Sequence, residues 1–133
     1  RLMLATNVEA PIILTQALLE NMVNNKWGRV VNIGSSSGYS GFKNTSLYCS
    51  SKHALLGFSR SLNKEVLSQG VRSYYIAPGS VKTRMGRKIL NQNYEEFLEP
   101  FEVAEQVIKI ISDDSNFIQD ETRLNRTSIL IKS

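Results

Sequence analysis

Residues 29–34 read Arg-Val-Val-Asn-Ile-Gly (RVVNIG), a short β-branched run closed by a glycine. A run of this kind, bounded by turn residues, reads as a strand, and its nearly continuous apolar character suits a central position in a parallel sheet. The next twelve residues, 35–46, are turn chemistry: Ser35, Ser36 and Ser37, then Gly38, Gly41, Asn44 and Thr45.

Helical patterns flank this strand. Segment 2–25 carries Val8, Ile12, Ile13, Ala17, Leu18, Leu19, Met22 and Val23, and apolar positions on more than one face predict a helix buried on two sides. Pro11 should bend it or restart it. Residues 47–69 form a second long helix, with Leu55, Phe58, Leu62 and Val66 in one stripe. Gly57 within it costs about 1 kcal/mol against Ala, which points to close approach of another helix. Gly70 stops this helix, and Val71 to Ala77 (VRSYYIA) is a second strand ended by Pro78-Gly79. Beyond it, 82–97 reads as a short helical excursion and 101–111 (FEVAEQVIKII) as an amphipathic helix. Residues 112–126 read as a polar loop and Ser128 to Ile131 as a last short strand. Helices alternating with strands at this spacing predict an α/β fold, a parallel sheet of about three strands with flanking helices.

Composition sets the limits. The chain has 133 residues, 41% hydrophobic and 21% charged, which suits one globular domain. The net charge of +4 is spread without a basic stripe, so a nucleic-acid partner is not expected. One cysteine excludes an internal disulfide, and with a single histidine no metal site is expected. No uninterrupted apolar run approaches about 18 residues, so no membrane span is expected. No secretion leader is apparent, and a cytoplasmic location is expected. The chain opens at Arg1, already inside a helical pattern, so either a start has been removed or the chain is part of a longer protein.

Tyr48 and Lys52 stand four apart at the start of the second helix, which stacks them on one face. An ammonium beside a phenol favours the phenolate, and such a phenol can pass a proton to a carbonyl oxygen or take one from an alcohol. The pair is a weak signal alone. A second match, Tyr39 and Lys43, lies in the glycine-rich loop, where i and i+4 share no face. Ser35, 13 residues before Tyr48, directly follows a strand, at the carboxyl edge where α/β sheets bind ligands. Asn7 lies in the preceding helix, and Pro78 to Thr83 follows the next strand at the same edge. Three elements thus deliver polar groups to one rim.

Taken together and in order, Asn7, GRVVNIGSSSG at 28–38, YCSSKHALLGFSRSLNKEV at 48–66 and VRSYYIAPGSVKT at 71–83 resemble the short-chain dehydrogenases/reductases, over about Asn7 to Ile111. The resemblance implies a Rossmann-like sheet and an NAD(P)-dependent oxidoreductase. Such an enzyme moves hydride between a nicotinamide, of NAD or NADP, and a small carbonyl or alcohol substrate. It implies Tyr48 as general acid/base, and Lys52 as the lysine that favours the phenolate and hydrogen-bonds the nicotinamide ribose. Ser35 matches the serine that hydrogen-bonds the substrate oxygen, and Asn7 the asparagine that holds a helix bend and a proton-relay water. Pro78, Gly79, Val81 and Thr83 resemble the segment that packs on the nicotinamide and its carboxamide.

The pattern also departs from the family. The glycine-rich turn T-G-x-x-x-G-x-G that anchors the dinucleotide phosphates has no match here, since Gly34, Gly38 and Gly41 follow the wrong strand. Residues 1–133 are therefore expected to be the C-terminal catalytic half of one Rossmann-like domain, inactive without its phosphate-binding turn. The alternative is a non-catalytic module that assembles or binds through its helices. In the family, the helices matching 2–25 and 47–69 form a dimer contact, and a homo-oligomer through them is expected.

The remaining candidates carry plainer readings. Cys49 is expected to be structural, His53 to lie at the surface or pack on its helix, and Trp27 to be a packing anchor. Lys82, Arg84, Arg87 and Lys88 read as a solvated face, with a clamp for an anionic substrate or a cofactor phosphate as the alternative.

Overall fold

Two stretches that carry β-branched and aromatic strand formers, at 28–33 and 71–78, pair side by side and set the frame. The computed structural model describes residues 1–89, 92–115 and 120–126. Strand β1, Gly28–Ile33, lies parallel to β2, Val71–Pro78, in a register that sets Gly28 against Val71 and Ile33 against Ile76. A third parallel strand, β3 (Glu121–Leu124), pairs Tyr75 with Glu121 and Pro78 with Leu124. The order is β1-β2-β3, so β2 is central. Parallel neighbours need crossovers, and helices supply them: α2 (Ser46–Val66) joins β1 to β2, and α3 (Pro100–Ser112) lies between β2 and β3. Helix α1, Leu2–Asn24, precedes β1.

The pleat of β2 sorts the core into two layers. On one face Val71 clusters with Leu62 and Val66 of α2, with Leu19, Met22 and Val23 of α1 against them. On that face too, Tyr75 and Ala77 cluster with Leu55 and Leu56. On the other face Tyr74 and Ile76 pack with Leu98 and Leu124, against Val103, Val107, Ile110 and Ile111 of α3. The stripe read along α2 is the packed one. Gly70 ends the 3-10 turn that follows α2 at φ +81°, a left-handed conformation that glycine adopts without penalty. Helix α3 opens on a capping box between Glu99 and Glu102, with Pro100 in its first turn.

Several expectations need correction. Helix α1 packs by one side only: Thr15 alone is buried within its Ala10–Asn24 stretch, while Ile13 and Leu14 are each 63% exposed and Leu18 is 47% exposed. The described chain offers α1 one neighbouring layer, and the opposite apolar side is left uncovered. That same helix is long and apolar enough to cross a membrane by length and composition. Glu9, Gln16 and Glu20 interrupt its apolar residues, so it contains no unbroken apolar run of that length. Strand β1 lies at the edge of the described sheet rather than at its centre. A Cβ at Gly57 would meet nothing, so no helix approaches it within the described chain. Trp27 is 58% exposed, because the chain enters the sheet at the buried Gly28 and leaves the indole outside with the Arg29 guanidinium 5.0 Å from its ring.

Strand β3 lies within the segment read as a polar loop. Its sequence, Glu-Thr-Arg-Leu, has one apolar residue, and its charged side chains find partners: Arg60 pairs with Glu121, and Arg123 stacks on Tyr39. The strand expected at 128–131 lies outside the described residues. The excursion at 82–97 contains two 3-10 turns, Gly86–Lys88 and Tyr94–Glu96.

Candidate active site

The carboxyl ends of β1 and β2 lie together, since Ile33 is in register with Ile76 and the Gly34 amide still donates to the Ile76 carbonyl at 2.6 Å. Ser35 and Pro78 therefore leave the sheet side by side. Immediately after Gly34 the backbone turns. Ser35 is extended and caps the 3-10 turn Ser36–Gly38, its Oγ accepting the Ser37 N–H at 3.1 Å. That acceptance commits an oxygen lone pair and leaves the Ser35 hydroxyl proton to donate elsewhere.

Helix α2 begins at Ser46 and carries Tyr48 and Lys52 on one face. The Lys52 ammonium lies 5.8 Å from the Tyr48 ring centroid, as i and i+4 spacing requires. Lys52 Nζ donates to the Ile33 carbonyl at 2.9 Å, so the lysine reaches the end of β1. Burial lowers the Lys52 pKa below the ordinary lysine value. With one N–H spent on Ile33, the ammonium keeps two more donors for a ligand at the rim.

Asn7 enters from α1. Residues Ala5–Glu9 form a π turn inside the helix, with Asn7 at its middle. The irregularity foreseen from Pro11 is present, two residues upstream of the proline. Proline has no N–H for the carbonyl of Asn7, four residues earlier, so regular hydrogen bonding cannot continue through this turn. The widened turn carries the Asn7 side chain to α2, where its Nδ2 donates to Ser51 Oγ at 3.1 Å. Ser51 is fully buried and donates in turn to the Tyr48 carbonyl at 2.7 Å. Asn7, Tyr48 and Lys52 are thus joined through α2.

The segment after β2 sits on the same rim. Gly79 N–H donates to the Leu124 carbonyl at 2.8 Å, Val81 bridges to Leu98, and the Thr83 hydroxyl accepts the Gly86 N–H at 3.0 Å. These contacts fix the backbone of Pro78 to Thr83, and no hydrogen bond described here joins it to Tyr48 or Lys52.

Two residues that sequence reasoning missed complete the arrangement. Ser51 is one; its only signal was its place three residues after Tyr48. Tyr75 is the other: its hydroxyl accepts the Ser35 N–H at 3.2 Å and lies 3.3 Å from both the Ser35 and Lys52 carbonyls. Nothing in the pattern VRSYYIA distinguishes it from a core tyrosine.

The other candidates take ordinary places. Cys49 is buried, and the Thr45 hydroxyl 3.1 Å from its sulfur lowers the thiol pKa. His53 is exposed, with its Nδ1 2.9 Å from the Cys49 carbonyl. Lys82 pairs with Glu99 at 2.8 Å, and the Arg87 guanidinium lies 5.7 Å from the Tyr94 ring centroid, so both are engaged with their own chain. Among the described residues no cluster of three or more His, Cys, Asp or Glu could hold a metal.

Residues 1–94 match the family model of the short chain dehydrogenases. The chain belongs to that family. Among curated relatives, the Rickettsia conorii protein named 3-oxoacyl-[acyl-carrier-protein] reductase FabG is 32% identical over 125 residues, 87% of this chain and 52% of that protein. Among solved structures, ElxO with NADP bound superposes with a TM-score of 0.79 at 25% identity, over 93% of this chain and 55% of that one. A mutant 4-hydroxyisoleucine dehydrogenase complexed with NADH and succinate gives a TM-score of 0.82 at 25% identity, over 94% and 58% of the two chains. The chain spans about half the length of the curated relatives it matches. Its three parallel strands and flanking helices agree with the fold of these solved structures.

Proposed function

We propose that this chain is the C-terminal catalytic half of an NAD(P)-dependent oxidoreductase that interconverts a carbonyl and an alcohol. The observation that carries the reading is the set of hydrogen bonds that ties Asn7 through Ser51 to the Tyr48 carbonyl, Lys52 to the Ile33 carbonyl at the end of β1, and the Ser35 N–H through the Tyr75 hydroxyl to the Lys52 carbonyl. A nicotinamide dinucleotide fits the donors at this edge. Lys52 offers two N–H groups to ribose hydroxyls, and Pro78, Gly79, Val81 and Thr83 offer a fixed backbone for the nicotinamide end. The phosphate end finds no glycine-rich turn in this sequence, which supports an anchor in a preceding half.

When bound, the cofactor supplies or accepts hydride. The chain's own residues handle the proton and the oxygen. In the reductive direction Tyr48 gives its phenolic proton to the carbonyl oxygen, and in the oxidative direction it takes the proton from the alcohol. The Ser35 hydroxyl, its oxygen already accepting the Ser37 N–H, donates to the same oxygen and steadies the charge that builds there. Lys52 holds positive charge beside the Tyr48 ring, and Asn7 holds the turn of α2 from which Tyr48 projects.

The substrate class is a small carbonyl or alcohol, supported by the name of the 3-oxoacyl reductase relative. The uncovered side of α1 supports assembly into a homo-oligomer, and a cytoplasmic enzyme is the setting that accompanies this reading. Steady-state assay of the full-length protein with NADH and NADPH against an acetoacetyl thioester tests it. Turnover should fall at least about 100-fold in Tyr48→Phe. Normal turnover in that variant would sink the mechanism.

A further inference from the structure

Tyr75 is fully buried on the central strand, and its ring occupies the space inside the Ser35 loop. A Cβ built at Gly34 or at Gly38 would collide with the Tyr75 phenol, so the loop closes around this ring only because both flanking positions are glycine. Inside that loop the hydroxyl accepts the Ser35 N–H at 3.2 Å. Its single proton is shared between the carbonyls of Ser35 and Lys52, both 3.3 Å away. The Lys52 carbonyl lies in the helical turn that also carries Tyr48. One phenol from the sheet therefore touches the backbone of the serine on one side and the backbone of the lysine on the other.

We propose that Tyr75 is a positioning residue that sets the separation between Ser35 and the Tyr48–Lys52 turn of α2. The proposal rests on the oxidoreductase reading for its catalytic consequence and on the hydrogen bonds and glycine contacts for its geometry. Each hydrogen bond is long, so each is weak alone. The ring fixes the position by packing, and the hydroxyl fixes the register of the loop against the helix. The ring is braced in turn. Tyr39 meets it edge-on, with centroids 5.7 Å apart and planes at 86°, and Tyr39 donates its hydroxyl to Glu121 at 3.1 Å. Glu121 is held by Arg60, and Arg123 covers the Tyr39 face at 3.9 Å. The brace ties the serine loop to β3 and α2 together. Tyr75 touches neither substrate nor cofactor in this scheme.

Tyr75→Phe keeps the ring and removes the register, and it is tested in the full-length protein with NADH, NADPH and an acetoacetyl thioester. Misplacing a reacting group by a fraction of its bond length should lower kcat about 10-fold while leaving KM for the cofactor unchanged. Hydrogen exchange at the Ser35 amide should speed up about 10-fold or more, because its acceptor has gone, while the amides of β1 and β2 keep their protection. Gly38→Ala drives a Cβ into the phenol and should cost more than Tyr75→Phe. Combining the two should recover part of the Gly38→Ala loss in both kcat and urea midpoint, since the clashing oxygen is removed. Unchanged exchange at Ser35, unchanged kcat in Tyr75→Phe, or simple addition of the two losses would each overturn the proposal. A wild type without turnover, matched by Tyr48→Phe, would instead sink the oxidoreductase reading. The exchange rate and the coupling of the two variants in urea would then still decide whether Tyr75 holds the loop.

Discussion

Asn7 on α1 and Ser51 on α2 share a hydrogen bond of 3.1 Å across 44 residues of sequence, and it is a described link between the side chains of these two helices at the site. Ser51 is fully buried, so Ser51→Ala leaves the Asn7 amide without its acceptor and the Tyr48 carbonyl without its second donor. A loss of about 1 kcal/mol is expected in urea unfolding. Turnover should fall with it, because the π turn no longer has a fixed partner. Full activity in Ser51→Ala would show that Asn7 needs no tether to α2.

Lys52 illustrates a site residue that costs stability. Burial lowers its pKa in the folded chain, so the unfolded chain binds the proton more tightly. Stability therefore rises with pH across the window that ends near the unfolded lysine value of about 10.4, and the cost is fully present at neutral pH. Lys52→Met should raise the melting temperature at pH 7, with the gain shrinking as the pH approaches that upper limit, while turnover falls about 100-fold or more. A lower melting temperature at pH 7 would mean that the 2.9 Å hydrogen bond to Ile33 outweighs the desolvation.

Where the fold was legible, one physical signal dominated. The stretch 71–78 is buried almost throughout and the stripe Leu55, Phe58, Leu62, Val66 faces the core, whereas in 28–33 Val30 and Val31 are half-buried and Ile33 is 48% exposed at the edge of the described sheet. Strand β3 was not legible, because Glu121, Thr122 and Arg123 carry no apolar alternation; its charged side chains are satisfied by Arg60 and Tyr39, which are far off in sequence. At the site, Tyr48 and Lys52 were readable from helical spacing, and Pro11 signalled the irregular turn around Asn7. The roles of Ser51 and Tyr75 depend on which side chain meets which backbone atom across the layers, and a short pattern carries no such information. The single-sided packing of α1 was unreadable for a related reason: apolar residues on two faces show what a helix can bury, not whether a second layer is there to bury it.

Tyr74 is the neighbour of Tyr75 in sequence and its opposite in environment. It faces the α3 layer, 1% exposed, and its hydroxyl has no hydrogen-bond partner among the described residues. A buried hydroxyl left unpaired costs free energy that phenylalanine does not pay. Tyr74→Phe should stabilise the protein by about 1 kcal/mol in urea unfolding. A destabilised variant would reveal an acceptor for this hydroxyl in the complete protein.

The Arg60–Glu121 pair should set part of the acid limb of stability. The Arg60 hydrogen bond holds the Glu121 carboxyl below its ordinary pKa, and the same carboxylate, after burial, helps push the Tyr39 phenol up to about 12. A depressed carboxylate contributes stability that is present above the unfolded glutamate value of about 4.3 and is lost as the pH falls through the lower folded value. Both side chains are partly exposed, so the pair is worth at most about 1 kcal/mol. Glu121→Gln should therefore flatten the fall in melting temperature below about pH 4.3 and change little at pH 7 beyond the loss of this small term. An acid limb identical to wild type would show that Arg60 and Glu121 do not interact in solution.

The apolar side of α1 left open to solvent predicts how the chain behaves on its own. Ile13, Leu14 and Leu18 lie together on that side, and strand β1 beside it is an edge of the described sheet. Apolar surface of this kind and an unpaired strand edge both favour association. The 133-residue chain should run larger than a monomer in light scattering. Leu14→Asp with Leu18→Glu should shift it toward the monomer mass without loss of helix content, since neither side chain belongs to the packed face formed by Leu19, Met22 and Val23. Membrane insertion is the competing fate, because Leu2–Asn24 is long and apolar enough to span. Flotation with neutral phosphatidylcholine vesicles separates the two: soluble oligomers stay at the bottom of the gradient, and an inserted helix carries the protein to the top. A clean monomer at high dilution, with no flotation, would contradict the expectation that this face has a protein partner.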